Sequence, residues 1–178
     1  MTDAFKVGFG PFTAPSKGVV VVFCDEGLKF GPATRRILGA ALVDQVARVA
    51  KVERFKGKKN ATLELIVPAG LKAERLIVIG LGKTADLKPK DFIRFGGLAA
   101  GKLPTSASDA AVFAELPAGA MKSEQAADLA QGSRLRAYRF DRYKTRRKDD
   151  ERPPAVRSMI SAASSSVTRK FDAIDAAA

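Results

Sequence analysis

Six consecutive apolar residues, Val19–Cys24, constrain the fold of this 178-residue chain more than any other feature. The run is far shorter than the roughly 20 apolar residues that a membrane-spanning helix needs. It has no polar residue at alternate positions, so as a strand it offers no face to water. The sequence therefore predicts a buried strand in a sheet that other elements cover on both sides.

Short apolar runs recur along the chain and alternate with longer segments of helical periodicity. The further predicted strands are residues 6–9, 63–67, 76–79, 110–114 and 156–161. Helices are predicted to begin near Pro32 or Ala33, near Pro89, near Ser123 and after residues 164–166. This order of elements predicts an α/β fold with a mixed, partly parallel sheet flanked by helices on both faces. The two places where strands follow each other directly require some antiparallel pairing.

Residue types exclude several kinds of chemistry. The chain has no histidine, so no Ser-His-Asp device and no imidazole zinc site can form. The single cysteine, Cys24, lies in an apolar run and is predicted to be a buried, inert thiol. The acidic residues Asp25 and Glu26, and those at 149–151, are predicted to be solvated turn residues or a counterweight to nearby positive charge, and a metal site made of carboxylates alone is the alternative. No secretory signal or membrane span is evident at the start, and we predict a cytoplasmic protein without a membrane partner.

Two sets of glycines invite a ligand interpretation. Residues 80–85 satisfy a loose dinucleotide pattern after a strand, but Pro89 delays the next helix, whereas a phosphate-binding turn leads directly into one. We therefore interpret Gly80 and Gly82 as a tight exit from the strand. Gly96, Gly97 and Gly101 lie inside a helical pattern, and we predict a close approach to the sheet; a ligand wedged there is the alternative.

Positive charge is concentrated between residues 131 and 148, where the only acid is Asp141. Tyr138, Phe140 and Tyr143 alternate with some of these charges. The pattern favours an edge strand or extended linker with its aromatic residues inward, and a nucleic-acid footprint remains the alternative. The residues of that candidate nucleic-acid site are Arg134, Arg136, Arg139, Arg142, Lys144, Arg146, Arg147 and Lys148.

The segment 138–144, with the sequence Tyr-Arg-Phe-Asp-Arg-Tyr-Lys, resembles the end of the N-terminal domain of the leucyl aminopeptidase (cytosol aminopeptidase) family. Residues 55–58 and the strand and turn at 75–83 resemble that family in the same order. The resemblance covers roughly residues 5–178 and implies a macro-domain-like fold. It implies a domain at 1–150, followed at 151–178 by a last strand and helix that lead towards a catalytic C-terminal domain.

The resemblance also implies a function for the whole protein. Family members are exopeptidases that release N-terminal amino acids, leucine among them, and use two divalent metals such as manganese or zinc. Their ligands include an Asn-Thr-Asp-Ala-Glu-Gly-Arg motif, which this chain lacks. We therefore assign no catalytic residue, no metal ligand and no cofactor to this chain. The implied partners are the catalytic domain and the other subunits of a hexamer. Two alternatives remain: a DNA-binding accessory module, and a macro-like nucleotide or ADP-ribose binder.

Overall fold

A computed structural model describes residues 5–104, 109–143 and 156–161. The strands are β1 (Phe5–Gly10), β2 (Val19–Cys24), β3 (Thr62–Ile66), β4 (Arg75–Gly80), β5 (Asp109–Phe113), β6 (Glu115–Leu116), β7 (Gly119–Ala120) and β8 (Val156–Ser161). The helices are α1 (Pro32–Val52), α2 (Pro89–Gly101) and α3 (Ser123–Tyr143). All six predicted strands and the first three predicted helices are present. The predicted helix after residues 164–166 lies outside the described residues.

Six strands form one sheet in the order β1-β8-β5-β2-β4-β3. Every neighbouring pair is parallel except β3 and β4, which are antiparallel. Strand β2 lies inside the sheet, where Val21 is opposite Val112 on one side and Ile77 on the other. Strand β8, which follows the predicted boundary at residue 150, lies between β1 and β5. The mixed, partly parallel sheet is confirmed.

The two faces of β2 belong to two separate hydrophobic clusters. Val20, Val22 and Cys24 pack with the buried face of α1, which includes Leu38 and Leu42. Their neighbours Val19, Val21 and Phe23 point the opposite way and pack with α2 and α3. A strand buried on both faces needs helices on both faces, and this is the arrangement observed. The continuous apolar run at 19–24 thus results from a position with no exposed side.

Helix α3 extends through residues 138–143. The interpretation of this segment as an edge strand or extended linker is therefore wrong. The alternation of aromatic and basic residues is only a few residues long, while Ala126, Leu129, Ala130 and Ser133 are buried on the helix upstream. Adding residues to an existing helix costs little compared with starting one, and arginine is a good helix former. Helix α3 therefore continues through the basic residues as far as Tyr143.

The small hairpin of β6 and β7 was not predicted. Its strands have two residues each, too few for a periodicity signal, and Pro117 and Ala118 connect them. No helix among the described residues is both long enough and apolar enough to cross a membrane.

Candidate functional site

The loop at residues 55–58 packs against the exit of β4, which brings together two of the segments that carry the family resemblance. The Gly80 N–H donates to the Ala61 carbonyl at 2.8 Å, and the Gly82 N–H donates to the Gly57 carbonyl at 2.9 Å. A Cβ on Gly80 would lie 2.2 Å from the carbonyl oxygen of Lys58, and one on Gly57 would lie 2.0 Å from that of Asp25. Glycine is required at both positions because backbone atoms occupy the space of a side chain.

The glycine turn after β4 does not lead into a helix N-terminus. A three-residue 3-10 helix, Thr84–Asp86, follows it, and α2 begins only at Pro89. The free N–H groups of α2 therefore do not follow directly on the glycines, as a phosphate-binding turn would require. This geometry agrees with the interpretation of the glycines as a strand exit. Asp25 likewise lies in a turn, where its Oδ1 accepts from the Gly27 and Lys29 N–H groups at 2.9 and 3.0 Å.

Helix α1 receives its N-terminal cap from a residue far along the chain. Its N-cap, Gly31, has no side chain, and Pro32 has no N–H. The Glu115 carboxylate accepts the Ala33 N–H through Oε1 at 2.9 Å and the Thr34 N–H through Oε2 at 2.8 Å. The Thr34 hydroxyl donates to the same Oε2 at 3.0 Å. Glu115 is only 2 % exposed. Its negative charge therefore lies at the positive end of the α1 dipole, where it is stabilising.

Glu115 occupies the position that an external anion would take at this helix end. The fit is close, because a Cβ on Gly31 would lie 2.2 Å from Oε1. Helix N-termini in α/β folds bind phosphates through the N–H groups that Glu115 has engaged here. Sequence reasoning missed this residue. The available signal was the helix start at Gly31, which lacks the usual Ser, Thr, Asp or Asn cap and so requires an acceptor from elsewhere.

An ion pair between a buried aspartate and an exposed lysine connects the loop after α1 to α2. Asp91, which is 3 % exposed, accepts from the Lys88 N–H at 2.9 Å and from Lys59 Nζ at 3.3 Å. The Lys88 N–H holds the pKa of Asp91 below its ordinary value; burial opposes this effect, and the Lys59 charge supports it. The carboxylate therefore stabilises both the first turn of α2 and the position of the loop.

Helices α2 and α3 make close backbone contact. A Cβ on Gly96 would lie 1.9 Å from the Leu129 carbonyl oxygen, and one on Gly132 would lie 1.8 Å from that of Ile93. The Ser133 hydroxyl donates to the Gly96 carbonyl at 2.9 Å. The prediction that the α2 glycines approach the sheet is wrong for Gly96, which approaches α3. A helical pattern indicates which face is buried but not which element covers it.

A groove of about 600 Å³ follows the α2–α3 contact. Its apolar lining includes Ile93, Leu98 and Leu135, and Gly97, Gly101 and Gly132 lie between them. Exposed cationic residues of the lining are Arg94, Lys102 and Arg136. Among the described residues that line this groove, none is acidic. We call this surface the α2–α3 groove.

A second groove, of about 990 Å³, lies between the end of α1, the following loop and β3. Its lining carries charges of both signs, including Lys51, Glu53, Arg54 and Glu64. Four cationic residues of this lining, with Lys56 and Lys58 included, outnumber the two acidic ones, so its positive charge is only partly compensated, whereas no acidic residue is among the described residues that line the α2–α3 groove.

The structure places the candidate nucleic-acid residues along and beyond α3. Arg134 and Arg136 are exposed on the helix, and Arg139 and Arg142 lie in its last two turns. Lys144, Arg146, Arg147 and Lys148 lie outside the described residues, as do the acidic residues at 149–151. Arg136 also lines the α2–α3 groove.

Metal and thiol chemistry find little support in the described residues. Within ranges 5–104, 109–143 and 156–161, no three His, Cys, Asp or Glu residues are grouped so that they could hold a metal ion. The residues in these ranges therefore do not fit a dinuclear metal centre. Cys24 is buried, and burial, with a smaller effect of Asp25, raises its pKa to about 12. The prediction of a buried, inert thiol agrees with this environment.

Known proteins match this chain over most of its length. A family model described as the cytosol aminopeptidase family, N-terminal domain, matches residues 19–147. A probable cytosol aminopeptidase from Rhodopseudomonas palustris (strain BisA53) is 52 % identical over 170 residues, which is 96 % of this chain and 34 % of the relative. The chain thus spans about a third of the length of the curated relatives that it matches.

Solved structures show the same fold at low sequence identity. A mutant of tomato leucine aminopeptidase has a TM-score of 0.72 and 20 % identity, over 98 % of this chain and 36 % of the other. An Oceanobacillus iheyensis macrodomain with MES bound has a TM-score of 0.66 and 12 % identity, over 97 % of this chain and 92 % of the other. The predicted macro-domain-like fold is confirmed.

Proposed function

Because this chain belongs to the cytosol aminopeptidase family and contains its N-terminal domain, we propose that it is the non-catalytic part of a metal-dependent exopeptidase. One observation carries the proposal: the match covers 96 % of this chain but 34 % of the relative. The remaining two-thirds of such a protein would hold the catalytic centre. The whole protein would then release N-terminal amino acids, including leucine, from peptides in the cytoplasm.

The two metals, manganese or zinc, would activate water and polarise the scissile carbonyl in the catalytic part. The described residues of this chain do not group into such a centre. Their contribution is structural. The contact between the exit of β4 and the loop at 55–58, the Glu115 cap and the α2–α3 contact together give a rigid domain. A rigid domain beside an active site can control which substrates reach it.

We further propose that the domain contacts the catalytic part and shapes a hexamer. Exposed apolar side chains support this role, since an interface would bury them. Val52 at the end of α1 is 79 % exposed, and Ile66 and Val67 at the end of β3 are 67 % and 76 % exposed. Strand β3 also lies at the edge of the sheet.

A chimera tests this role. In the Rhodopseudomonas palustris relative, the N-terminal third is replaced by this chain, or deleted. We expect the chimera to match the parent in assembly, measured by sedimentation, and in its rate of leucine p-nitroanilide hydrolysis. The deletion variant should differ from the parent either in assembly or in its KM for longer peptides. In the chimera, Ile66→Asp should weaken assembly, whereas Ala47→Asp on the exposed face of α1 should not. Equal behaviour of parent, chimera and deletion would refute the role.

Nucleic-acid binding by the basic run is a second candidate function. The observation that favours it is the exposure of both Arg134 and Arg136 on α3, which precede the further basic residues at 139–148 in the sequence. Low-salt binding would prove little, because any strongly basic chain attracts polyanions. Replacing Arg142, Arg146 and Arg147 with alanine should weaken duplex binding at 0.15 M salt and reduce the slope of log affinity against log salt by about one unit per lost phosphate contact. An unchanged slope would reject this candidate.

The macro-like alternative, a nucleotide or ADP-ribose binder, has less support. Glu115 already engages the N–H groups at the start of α1 and brings negative charge there, so this helix end is not free to bind a phosphate. An approaching phosphate would meet electrostatic repulsion and a filled site.

A further inference from the structure

The α2–α3 groove combines an apolar floor with a cationic rim. Leu135 is 43 % exposed, although it is a large apolar residue on a helix that buries much of its surface elsewhere. Ile93 and Leu98 are half-buried beside it. Arg94, Lys102 and Arg136 are exposed around these apolar side chains.

The floor of the groove is held in place by the helix contact beneath it. The Gly96 and Gly132 backbones pack against the facing helix, and Ser133 bridges the two helices. Gly101 leaves space that the Arg136 side chain uses: a Cβ there would lie 3.3 Å from Arg136 Nε. The surface is therefore preformed, which lowers the entropic cost of binding a partner.

We propose that the α2–α3 groove is a docking surface for an acidic, amphipathic peptide segment of a partner protein. Leucine-like side chains of the segment pack on Ile93, Leu98 and Leu135. Its carboxylates pair with the cationic rim, where arginine can bind a carboxylate through two hydrogen bonds.

Charge and lining residues distinguish this occupant from others. A second copy of the chain, with a net charge of +12, would bring the same cations against each other in a symmetric contact. A nucleic acid would satisfy the cations, but single strands also bind by stacking bases on aromatic side chains. Among the described lining residues none is aromatic, whereas three are large and aliphatic. An acidic peptide satisfies both parts of the surface.

The test uses three fluorescein-labelled helical peptides of equal length and fluorescence polarisation at 0.15 M salt. The first has a leucine stripe flanked by glutamates, the second has the same stripe flanked by lysines, and the third keeps the glutamates but replaces leucine with serine. We expect only the first to bind measurably. When the first peptide is added, the largest changes in backbone amide chemical shift should occur around Gly97, Gly101 and Gly132.

Variants locate the site. Arg94→Glu with Lys102→Glu should weaken binding of the first peptide about tenfold, since two exposed ion pairs become repulsions. Arg36→Glu with Arg48→Glu makes the same change in net charge on exposed positions of α1 and should weaken it much less. Leu135→Ser, at a position where 43 % of the residue is exposed, should weaken binding of the first peptide while the protein keeps its folded circular dichroism spectrum.

Several results would overturn the proposal. Equal binding of the glutamate and lysine peptides, or of the leucine and serine peptides, would do so. Equal losses in the α2 and α1 charge variants would show only a general attraction to a basic protein. Tighter binding of a DNA duplex than of the first peptide at the same salt, lost in the Arg94→Glu and Lys102→Glu variant, would assign the groove to nucleic acid instead.

Discussion

Glu115 Oε2 accepts two hydrogen bonds from Thr34, one from its backbone N–H at 2.8 Å and one from its hydroxyl at 3.0 Å. The two residues are 81 positions apart in the chain. The contact joins the β6–β7 hairpin to the start of α1 and fixes a helix that cannot cap itself. It also occupies a helix N-terminus, a position whose free N–H groups could otherwise bind an anion.

Glu115→Ala should lower the free energy of unfolding by about 2–4 kcal/mol, because it leaves the Ala33 and Thr34 N–H groups and the Thr34 hydroxyl without their charged acceptor. Glu115→Gln should cost less, since the amide keeps the shape and one acceptor oxygen. Urea unfolding followed by circular dichroism measures both. Glu74→Ala, at an exposed position, is the control and should change stability little. A loss for Glu115→Ala no larger than that of the control would show that the cap is energetically unimportant.

Residue patterns predicted the parts of this fold that depend on local sequence. The run at Val19–Cys24 predicted a doubly covered strand, and Pro32, Pro89 and Ser123 mark observed helix starts. The Glu115 cap could not be predicted in this way. Hydrogen bonds across 81 residues leave no periodic trace, and a charged residue after an apolar strand has the same appearance as an ordinary loop residue.

The α2–α3 contact shows a similar limit. Glycines within a helical pattern indicate close packing, but the sequence does not identify the neighbour that needs the space. Gly96 leaves space for the backbone of α3, and Gly132 leaves space for the backbone of α2. The prediction had instead assigned the α2 glycines to a contact with the sheet. The groove beside them was not predicted either, because it requires the relative position of two helices.

Neighbouring glycines of α2 should respond oppositely to alanine. Gly96→Ala places a Cβ 1.9 Å from the Leu129 carbonyl oxygen, so the helices must move apart, and we expect a loss of about 2–3 kcal/mol. Gly97→Ala meets its nearest atom, the Gly132 carbonyl oxygen, at an ordinary 3.6 Å. It should gain up to about 1 kcal/mol from helix propensity. Thermal and urea unfolding of the two variants measure the difference, and similar effects from both would contradict the packing described.

Asp91 should contribute stability at neutral pH that disappears in acid. Its pKa in the folded protein is depressed, so its contribution is full above the pKa of an unfolded aspartate, about 3.9, and is lost as the pH falls through the lower folded value. Asp91→Asn should therefore be less stable than the parent at pH 7, and the gap should narrow below about pH 3.9. Asp44→Asn, at an exposed position, is the charge-matched control. A gap that stays constant through the acid range would mean that Asp91 does not act as a paired carboxylate.

The most direct test of the proposed function is an activity measurement on this 178-residue chain alone. Leucine p-nitroanilide is offered with manganese, magnesium or zinc, and the full-length Rhodopseudomonas palustris relative is assayed in parallel as the positive control. If this chain is the non-catalytic N-terminal domain, it releases no p-nitroaniline above background with any of the metals. Metal-dependent turnover that co-elutes with the chain through purification and stops on chelation would contradict the account.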